Sequence, residues 1–397
     1  MGMKFGFVAC LTLPILLFCL AGCSSNSNSG TTGTSNLYVT AQANTTISAY
    51  TVTQSTGTLS SIGNALGTGS VPSAIAIPPS GNALFVANSG SNNISSYSIN
   101  SDASLTAVSG TTATGNTPTA LAIDPGGKFL FVANQGSSSI SVFSINGTGL
   151  TKVPGSPFTT IPVGLSYPNG TLPAAVAVSA SGKFLYVANQ LANFVSVFAI
   201  NSTSGALTPL GVPFYDDGQT SPSGLAITPN GGFLYVANAG ANSNDISAYA
   251  VCDNVVTSCA NPNVPDGTLT PVTGSPFPAG LGPVAMAFDP GFNFAYVVDK
   301  GSNTISQYSY GPGSGVLTPL SPGTISTGVT PVSIAILSGV IASDVGNTLF
   351  NTTDYAYVAN LGSGTISIFS LTTSSGLLNV IGQPLVIFGQ TSAVSAR

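Results

Sequence analysis

The sequence lacks the residue types on which most catalytic and metal sites depend. Its 397 residues include no histidine and no tryptophan, and only 4% of them are charged. All 11 acidic residues are aspartates, and the sole arginine is the last residue, Arg397. The absence of histidine excludes a Ser-His-Asp triad and the imidazole ligands common at zinc, copper and haem. With a net charge of −5, the chain has no basic surface of the kind that nucleic acid requires.

The residues that are present favour an all-β protein. Hydrophobic residues make up 43% of the chain, which also contains 47 glycines and 27 prolines. A disordered chain would have fewer apolar residues and usually more charge. Many β-branched residues together with many turn-forming residues are typical of short strands joined by tight turns.

The N-terminus has the features of a targeting segment. Lys4 precedes an apolar run that contains Pro14 and ends in Leu-Ala-Gly-Cys at 20–23. This ending resembles the lipobox of bacterial lipoprotein precursors. The resemblance implies a signal peptide over 1–22, cleavage before Cys23 and acyl chains on the Cys23 sulfur. An ordinary secretory signal or a transmembrane helix is the alternative, although the run is short for a helix that spans a membrane.

Membrane attachment would then determine where the protein works. Ser24 follows the lipidated cysteine, and in the lipoprotein family a residue other than aspartate there implies the outer membrane. Residues 23–35 comprise this cysteine and a tether rich in Ser, Asn, Gly and Thr, whose twelve residues would reach about 17–21 Å as a flexible coil. We therefore predict a single folded domain over 36–397 at the cell envelope.

Two cysteines remain once the targeting segment and Cys23 are set aside. Cys252 and Cys259 are close in sequence, and export to an oxidising compartment favours a disulfide between them. Two thiols without histidine are too few for a metal site. No metal and no cofactor is predicted from them.

A four-residue motif recurs along the whole predicted domain. The hexapeptide FLYVAN occurs at 184–189 and again at 233–238, and its last four residues have counterparts elsewhere in the chain. The seven copies are YVTA at 38–41, FVAN at 85–88, FVAN at 131–134, YVAN at 186–189, YVAN at 235–238, YVVD at 296–299 and YVAN at 357–360. We call each copy a tetrad. The copies begin 46 to 61 residues apart, a period typical of repeat folds.

Each tetrad has similar neighbours, which predict four strands in every repeat. An apolar run and a turn precede the tetrad, and a turn, a strand and commonly a Leu-Thr-Pro segment follow it. The sequence therefore predicts an all-β, seven-bladed β-propeller with four antiparallel strands per blade. The recurrent alanines of the first strands are expected at the crowded axis. The first repeat starts at its second strand, so we predict that residues 392–396 close the ring by pairing in the first blade.

The tetrads, the turns with proline and glycine and the Leu-Thr-Pro segments resemble the YVTN-type repeats of the lactonase-like propellers. That family includes the 6-phosphogluconolactonase type, and the resemblance covers about 36–397. It implies the propeller fold and a site at its centre. Enzymes of the family use His, Arg and Glu there, whereas this chain has no His or Glu and only a terminal Arg. No catalytic residue can therefore be transferred to it, and an enzyme is not the favoured reading.

Aromatic and amide side chains are predicted to share one face of the propeller. Loops between second and third strands lie on the same face as the connections between blades. The candidate ligand residues on these loops are Tyr167, Asn169, Gln190, Asn193, Tyr215, Asp216, Asp217, Asn242 and Asp245. Such a mixture suits a neutral glycan or a protein partner. Asp216 and Asp217 could also contribute to a calcium site, although adjacent aspartates are more often a solvated turn.

Three functions remain open from the sequence. The favoured one is a monomeric, lipid-anchored binding module without catalysis. The second is a divergent lactonase that acts on an uncharged lactone with Asp or Tyr as general base. The third is a structural surface protein without a small ligand.

Overall fold

The protein is described here by a computed structural model, and almost every segment that it describes is a strand or a tight turn. The described residues are 9–11, 35–162, 164, 166–211, 218–253, 265–291, 293–337 and 353–387. Within these ranges no helix is both long and apolar enough to cross a membrane. One short 3-10 turn, Gln135–Ser137, follows the third tetrad.

The strands form seven separate sheets, which confirms the seven-bladed propeller. Blades one to three contain Ala9–Leu11, Ser35–Ala41, Thr46–Val52 and Leu59–Gly67; Pro72–Ala76, Ala83–Asn88, Asn93–Ile99 and Leu105–Ala113; and Pro118–Ile123, Phe129–Asn134, Ser139–Asn146 and Gly149–Lys152. Blades four and five contain Pro173–Val178, Phe184–Asn189, Phe194–Ile200 and Leu207–Pro209; and Pro222–Ile227, Phe233–Asn238, Asp245–Val251 and Leu269–Pro271. Blades six and seven contain Pro283–Phe288, Phe294–Asp299, Thr304–Tyr310 and Leu317–Ser326; and Pro331–Leu337, Asp354–Asn360, Thr365–Leu371 and Leu378–Val380.

Within the described ranges, three blades have a short additional strand beside their third strand. These strands are Phe158–Thr159, Phe277–Pro278 and Leu385–Val386 in blades three, five and seven. Phe277 is buried and Phe158 packs partly buried against the core, so both aromatic side chains support the fold.

The first strands of neighbouring blades lie side by side around the axis, and the tetrads form the second strands. In blades two to seven, the recurrent alanine of the first strand lies directly opposite the aromatic residue of the tetrad, as Ala177 does opposite Tyr186. Directly opposed residues of an antiparallel pair project to the same side of the sheet. A small side chain is therefore needed beneath each aromatic ring, which is a more specific reason for the alanines than crowding at the axis.

Tetrad tyrosines connect one blade to the next through their hydroxyl groups. The Tyr235 hydroxyl donates to the Gly315 carbonyl at 2.7 Å, and the Tyr296 hydroxyl donates to the Gly376 carbonyl at 2.6 Å. Both acceptors lie in the turn between the third and fourth strands of the following blade. Gly315 and Gly376 have positive φ angles, and a Cβ atom there would overlap the ring of Phe233 or Phe294 of the preceding blade. Glycine is therefore required at these turns by both backbone and packing.

Blade seven joins blade one by the same contact. The Tyr357 hydroxyl donates to the Gly57 carbonyl at 2.8 Å, and apolar side chains of both blades form one buried cluster. Ala9–Leu11 occupies the innermost position of blade one and pairs in parallel with the second strand, whereas the other blades have an antiparallel strand there. This part of the predicted targeting segment therefore belongs to a sheet. The predicted closing strand at 392–396 lies outside the described residues and stays a prediction.

Candidate functional site at the axial mouth

The topology brings two sets of loops to one end of the axis. In blades two to seven, the N–H directly after the tetrad donates to the carbonyl of the residue that precedes the first strand. The Gln135 N–H donates to the Thr117 carbonyl at 2.9 Å, and the Lys300 N–H donates to the Gly282 carbonyl at 2.9 Å. We call this end of the propeller the mouth face, because the second-to-third-strand loops and the connections between blades meet there.

The residues that directly follow the seven tetrads form a ring on this face. We call them the mouth ring; in blade order they are Gln42, Ser89, Gln135, Gln190, Ala239, Lys300 and Leu361. The Gln135 Nε2 atom lies 3.4 Å from the Gln190 Oε1 atom, so members of adjacent blades reach one another. All members except the buried Ser89 are partly exposed.

The mouth ring can donate hydrogen bonds, but it contains no acid. Its polar members are three amides, one hydroxyl group and the ammonium group of Lys300. Acceptor groups of a sugar, a lactone or a carboxylate suit these donors. General base catalysis needs a group that accepts a proton near neutral pH, and histidine and aspartate are both absent from the ring.

The asparagine of the tetrad maintains the shape of this face. In blade five, the Asn238 Nδ2 atom donates to Asp245 Oδ1 at 2.9 Å and to Ser247 Oγ at 2.8 Å. In blade three, the Asn134 Oδ1 atom accepts from the Gly115 N–H of the incoming connection at 3.0 Å. The amide thus ties the second strand, the third strand and the connection between blades, so its role is structural.

Blade six has an aspartate, Asp299, where five other tetrads have asparagine. Its Oδ2 atom accepts from Ser306 Oγ at 2.7 Å and from Thr304 Oγ1 at 3.2 Å, while Oδ1 is buried without a hydrogen-bond partner. Removal from water raises the pKa of the Asp299 carboxyl to about 6, and the hydroxyl donors lower it only in part. Asp299 therefore titrates closer to neutrality than an ordinary aspartate.

Two of the predicted ligand residues are engaged within the fold. The Asn193 Oδ1 atom accepts from the Ser221 N–H at 2.8 Å, which ties blade four to the connection before blade five. The buried Asp245 accepts from Asn238, as described above. Asn193 has a φ of 57°, a conformation that asparagine tolerates better than most residues.

The other predicted ligand residues are distributed around the mouth face. Gln190 belongs to the mouth ring, and the Tyr167 ring lies 5.6 Å from the ring of Phe194. Asn169 and Asn242 are exposed. Tyr215, Asp216 and Asp217 lie outside the described residues, so the structure does not bring these three together with the rest.

The calcium and disulfide predictions also involve residues outside the described ranges. No group of three potential metal ligands occurs in the part of the chain that the structure describes, which does not include Asp216 or Asp217. Cys252 is buried just after the third strand of blade five. Its predicted partner Cys259 is outside the described ranges, so the disulfide stays a prediction.

A small cleft lies between blades three and four. It has a volume of about 20 Å³ and is lined by residues that include Thr160, Phe198 and Pro209. That space is close to the minimum for one water molecule. The cleft is therefore too small for a sugar.

The turns on the opposite face contain the lysines at 128 and 183. Lys183 forms a salt bridge with Asp266 at 3.2 Å, between partly exposed side chains. Lys300 on the mouth face has no acidic group within salt-bridge distance in the described ranges. Sequence reasoning did not select Lys300, although its position directly after a tetrad was a usable signal.

Comparison with known proteins supports the architecture and a family. A family model described as "Lactonase, 7-bladed beta-propeller" matches residues 33–153 and 156–255. No curated protein sequence matches the chain.

Solved structures of several bacterial proteins share the fold. A candidate 6-phosphogluconolactonase from Bacteroides fragilis is 19% identical, with a TM-score of 0.70 over 91% of this chain and 97% of that one. A candidate 6-phosphogluconolactonase from Bacteroides uniformis is also 19% identical, with a TM-score of 0.68 over 86% and 92% of the two chains. A periplasmic gluconolactonase from Pseudomonas aeruginosa is 22% identical, with a TM-score of 0.59 over 72% and 78%. At these identities the similarity concerns the fold alone.

Proposed function

The chain belongs to the family of seven-bladed lactonase propellers, and from this we propose that it binds a small lactone or sugar acid at the mouth ring without hydrolysing it. The family indicates the class of ligand. The mouth ring has no histidine or aspartate to act as a general base, and this composition indicates binding without catalysis. That composition is the observation on which the proposal rests.

The mouth ring is suited to recognition and poorly suited to hydrolysis. Gln42, Gln135 and Gln190 can donate to and accept from ring hydroxyls, and Lys300 can bind a carbonyl or carboxylate oxygen. Opening a lactone requires activation of water by a base placed within hydrogen-bond reach. None of the seven ring members is such a base near neutral pH.

Export and lipid anchoring are part of the same proposal. The tether would enter the domain at Ser35, where the second strand of blade one begins, and that strand ends at Ala41 next to the mouth ring. The tether therefore joins the face opposite the mouth. A chain anchored through Cys23 at the outer membrane would hold the mouth away from the lipid, where it is accessible to a soluble ligand.

A combined binding and turnover experiment tests the proposal. The lipidated chain in lipid nanodiscs is titrated calorimetrically with glucono-1,5-lactone, gluconate and 6-phosphogluconate, and lactone opening is followed in parallel. We expect saturable binding of the lactone or gluconate and no acceleration of opening over empty nanodiscs. Absence of binding by all three compounds would overturn the proposal and would favour a glycan, a protein partner or a structural role.

Hydrolysis is the second candidate, because the family and the similar structures are named for lactonase activity. Its base would have to be an aspartate or a tyrosine. Asp299 has a suitable pKa, but its side chain is fully buried directly before Lys300. Accelerated lactone opening that is lost in Asp299→Asn and retained in Asp102→Asn would establish this candidate in place of the first.

A further inference from the structure

The mouth face has an apolar sector that consists of Leu281 and Val329 in blades six and seven, and among the described residues Leu191 of blade four is a separate exposed apolar residue on this face. Leu281 is 58% exposed and Val329 is 54% exposed, and both stand two residues before the proline that begins a first strand. The equivalent residues of blades two to five are Ser70, Asn116, Thr171 and Thr220. Isolated exposed apolar residues are common, whereas exposed apolar residues that form one patch mark binding surfaces.

Hydrogen bonds place these two residues on either side of one loop. The Gly301 N–H donates to the Leu281 carbonyl at 2.7 Å, and the Gly362 N–H donates to the Val329 carbonyl at 2.9 Å. Asn303, at the end of the loop that starts at Lys300, accepts from the N–H of the residue after Val329 at 2.6 Å. The two apolar side chains therefore flank the loop that carries Lys300.

The mouth ring continues the same sector toward the axis. Lys300 and Leu361 are its neighbouring members in blades six and seven, whereas Gln135 and Gln190 lie in blades three and four. The mouth thus has one side with a cation and apolar side chains and another side with amides. A ligand that uses both sides would have an anionic group, a hydrocarbon part and a hydroxyl group.

We infer that the mouth selects an alkyl-substituted hydroxy acid, the ring-opened form of an alkyl lactone, in preference to a fully hydroxylated sugar acid. The carboxylate binds Lys300, the alkyl chain contacts Leu281, Val329 and Leu361, and the hydroxyl group reaches the amides. This selectivity rests on the proposed function, because it assigns a ligand class to the same site. Burial of an alkyl chain against exposed apolar side chains is favourable in proportion to the area covered.

The length of the ligand's alkyl chain is the variable that tests this inference. The lipidated chain in nanodiscs is titrated by calorimetry with 4-hydroxybutanoate, 4-hydroxyoctanoate and gluconate, with empty nanodiscs as the blank. We expect 4-hydroxyoctanoate to bind at least about tenfold more tightly than 4-hydroxybutanoate, since four more methylene groups leave water in part. A ratio near one between the Kd values for 4-hydroxybutanoate and 4-hydroxyoctanoate would overturn the inference.

Surface variants test whether the apolar sector causes the tighter binding of 4-hydroxyoctanoate. L281S/V329S should bring the ratio of the Kd values for 4-hydroxybutanoate and 4-hydroxyoctanoate close to one, mainly by weakening the binding of 4-hydroxyoctanoate. Leu191, 47% exposed in the loop after the blade-four tetrad, provides the matched control, because L191S should retain the advantage. K300Q should weaken both hydroxy acids about fivefold or more, and Lys128→Gln on the opposite face should not.

The outcomes separate this inference from the proposed function. If gluconate or its lactone binds while neither hydroxyalkanoate does, the proposed function stands and the selectivity is wrong. If L281S/V329S binds both hydroxy acids as the wild type does, the apolar sector does not bind the alkyl chain. If no compound binds, the proposed function fails together with the inference.

Discussion

The Tyr357 hydroxyl donates to the Gly57 carbonyl at 2.8 Å and so connects residues 300 positions apart, in the last and the first blade. The contact repeats the bond from Tyr296 to Gly376 between blades six and seven. Blades five, six and seven each hold the next blade by this contact, and the contact from blade seven completes the circle. The ring is therefore closed in part by a tyrosine of the tetrad.

Removal of this hydroxyl group should destabilise the domain. In Tyr357→Phe the buried Gly57 carbonyl loses its donor, and we expect the free energy of unfolding to fall by about 1–2 kcal/mol. Urea denaturation monitored by circular dichroism measures the change. Tyr167→Phe is the control, because Tyr167 is partly exposed and should alter stability by less than about 0.5 kcal/mol. Equal effects in both variants would contradict a special role for the closing contact.

The turn glycine of blade seven offers a sharper test of packing between blades. In Gly376→Ala the added Cβ atom would overlap the ring of Phe294 and would also adopt a φ of 73°. Overpacking and the left-handed backbone together should cost about 2–4 kcal/mol. Urea denaturation again measures the loss.

Gly382→Ala separates the two contributions to that loss. Gly382 has a φ of 57°, but no atom lies within 4 Å of the position where its Cβ would be. Its variant should cost only about 1 kcal/mol, from the backbone alone. A loss as large as that of Gly376→Ala would show that the contact with Phe294 contributes nothing.

The blade pattern was predictable from the sequence because it repeats, whereas the details between blades were not. Alternation in FLYVAN identified the second strand, and the residues after it identified the third. The reason for Ala177 required the register that sets it opposite Tyr186. Of the mouth ring only Gln190 was predicted, because the ring emerges only when the residues after all seven tetrads are compared. Lys300 directly follows a tetrad, whereas the turn lysine Lys183 directly precedes FLYVAN. Asp245 was predicted to face a ligand, but its bond from Asn238 depends on the loop conformation.

Asp299 should make the stability of the protein depend on pH. Burial raises the pKa of its carboxyl from 3.8 to about 6, so between these values the folded state binds more protons than the unfolded state. The contribution of Asp299 to the free energy of unfolding is therefore highest below about pH 4, falls as the pH rises to about 6 and is constant above it. The full decrease is about 3 kcal/mol.

Asp299→Asn tests this dependence. The amide occurs at the same position of blade five, where Asn238 donates to Ser247, so it can replace the carboxylate beside Ser306. We expect the variant to be more stable than the wild type at pH 7 and about equal to it at pH 4, by urea denaturation at both values. Asp102→Asn is the exposed control, since hydrogen bonds from Ser104 lower the pKa of Asp102 and give the opposite sign. A wild type and D299N that differ equally at both pH values would refute the assignment.

The last prediction concerns the strand that completes blade one. In blade five the Ala279 N–H donates to the Asn244 carbonyl, and the next first strand begins four residues later at Pro283. In blade seven the Ile387 N–H donates to the Gly364 carbonyl in the same way. The same interval of four residues after Ile387 leads to Thr391.

This interval gives the proposed closing strand a register. A strand that begins at Thr391 and pairs as the first strands of the other blades do sets Ser395 opposite Tyr38, as Ala76 is set opposite Phe85. A small residue would thus lie beneath the tetrad aromatic of blade one, as in the other blades. Val394 would then lie opposite Val39. We propose that this strand holds the inner position of blade one after the targeting segment that contains Ala9–Leu11 has been removed.

Truncation after residue 387 should therefore expose the edge of the second strand in the lipidated chain. We expect amide hydrogen exchange at residues 37–41 to accelerate by at least tenfold relative to the untruncated lipidated chain, while exchange at 233–238 in blade five changes little. Substitution of Ser395 by Trp, which cannot fit beneath Tyr38, should reproduce the acceleration, and Arg397→Ala should not. Unchanged exchange at 37–41 in both the truncated chain and S395W would show that the C-terminus does not pair there.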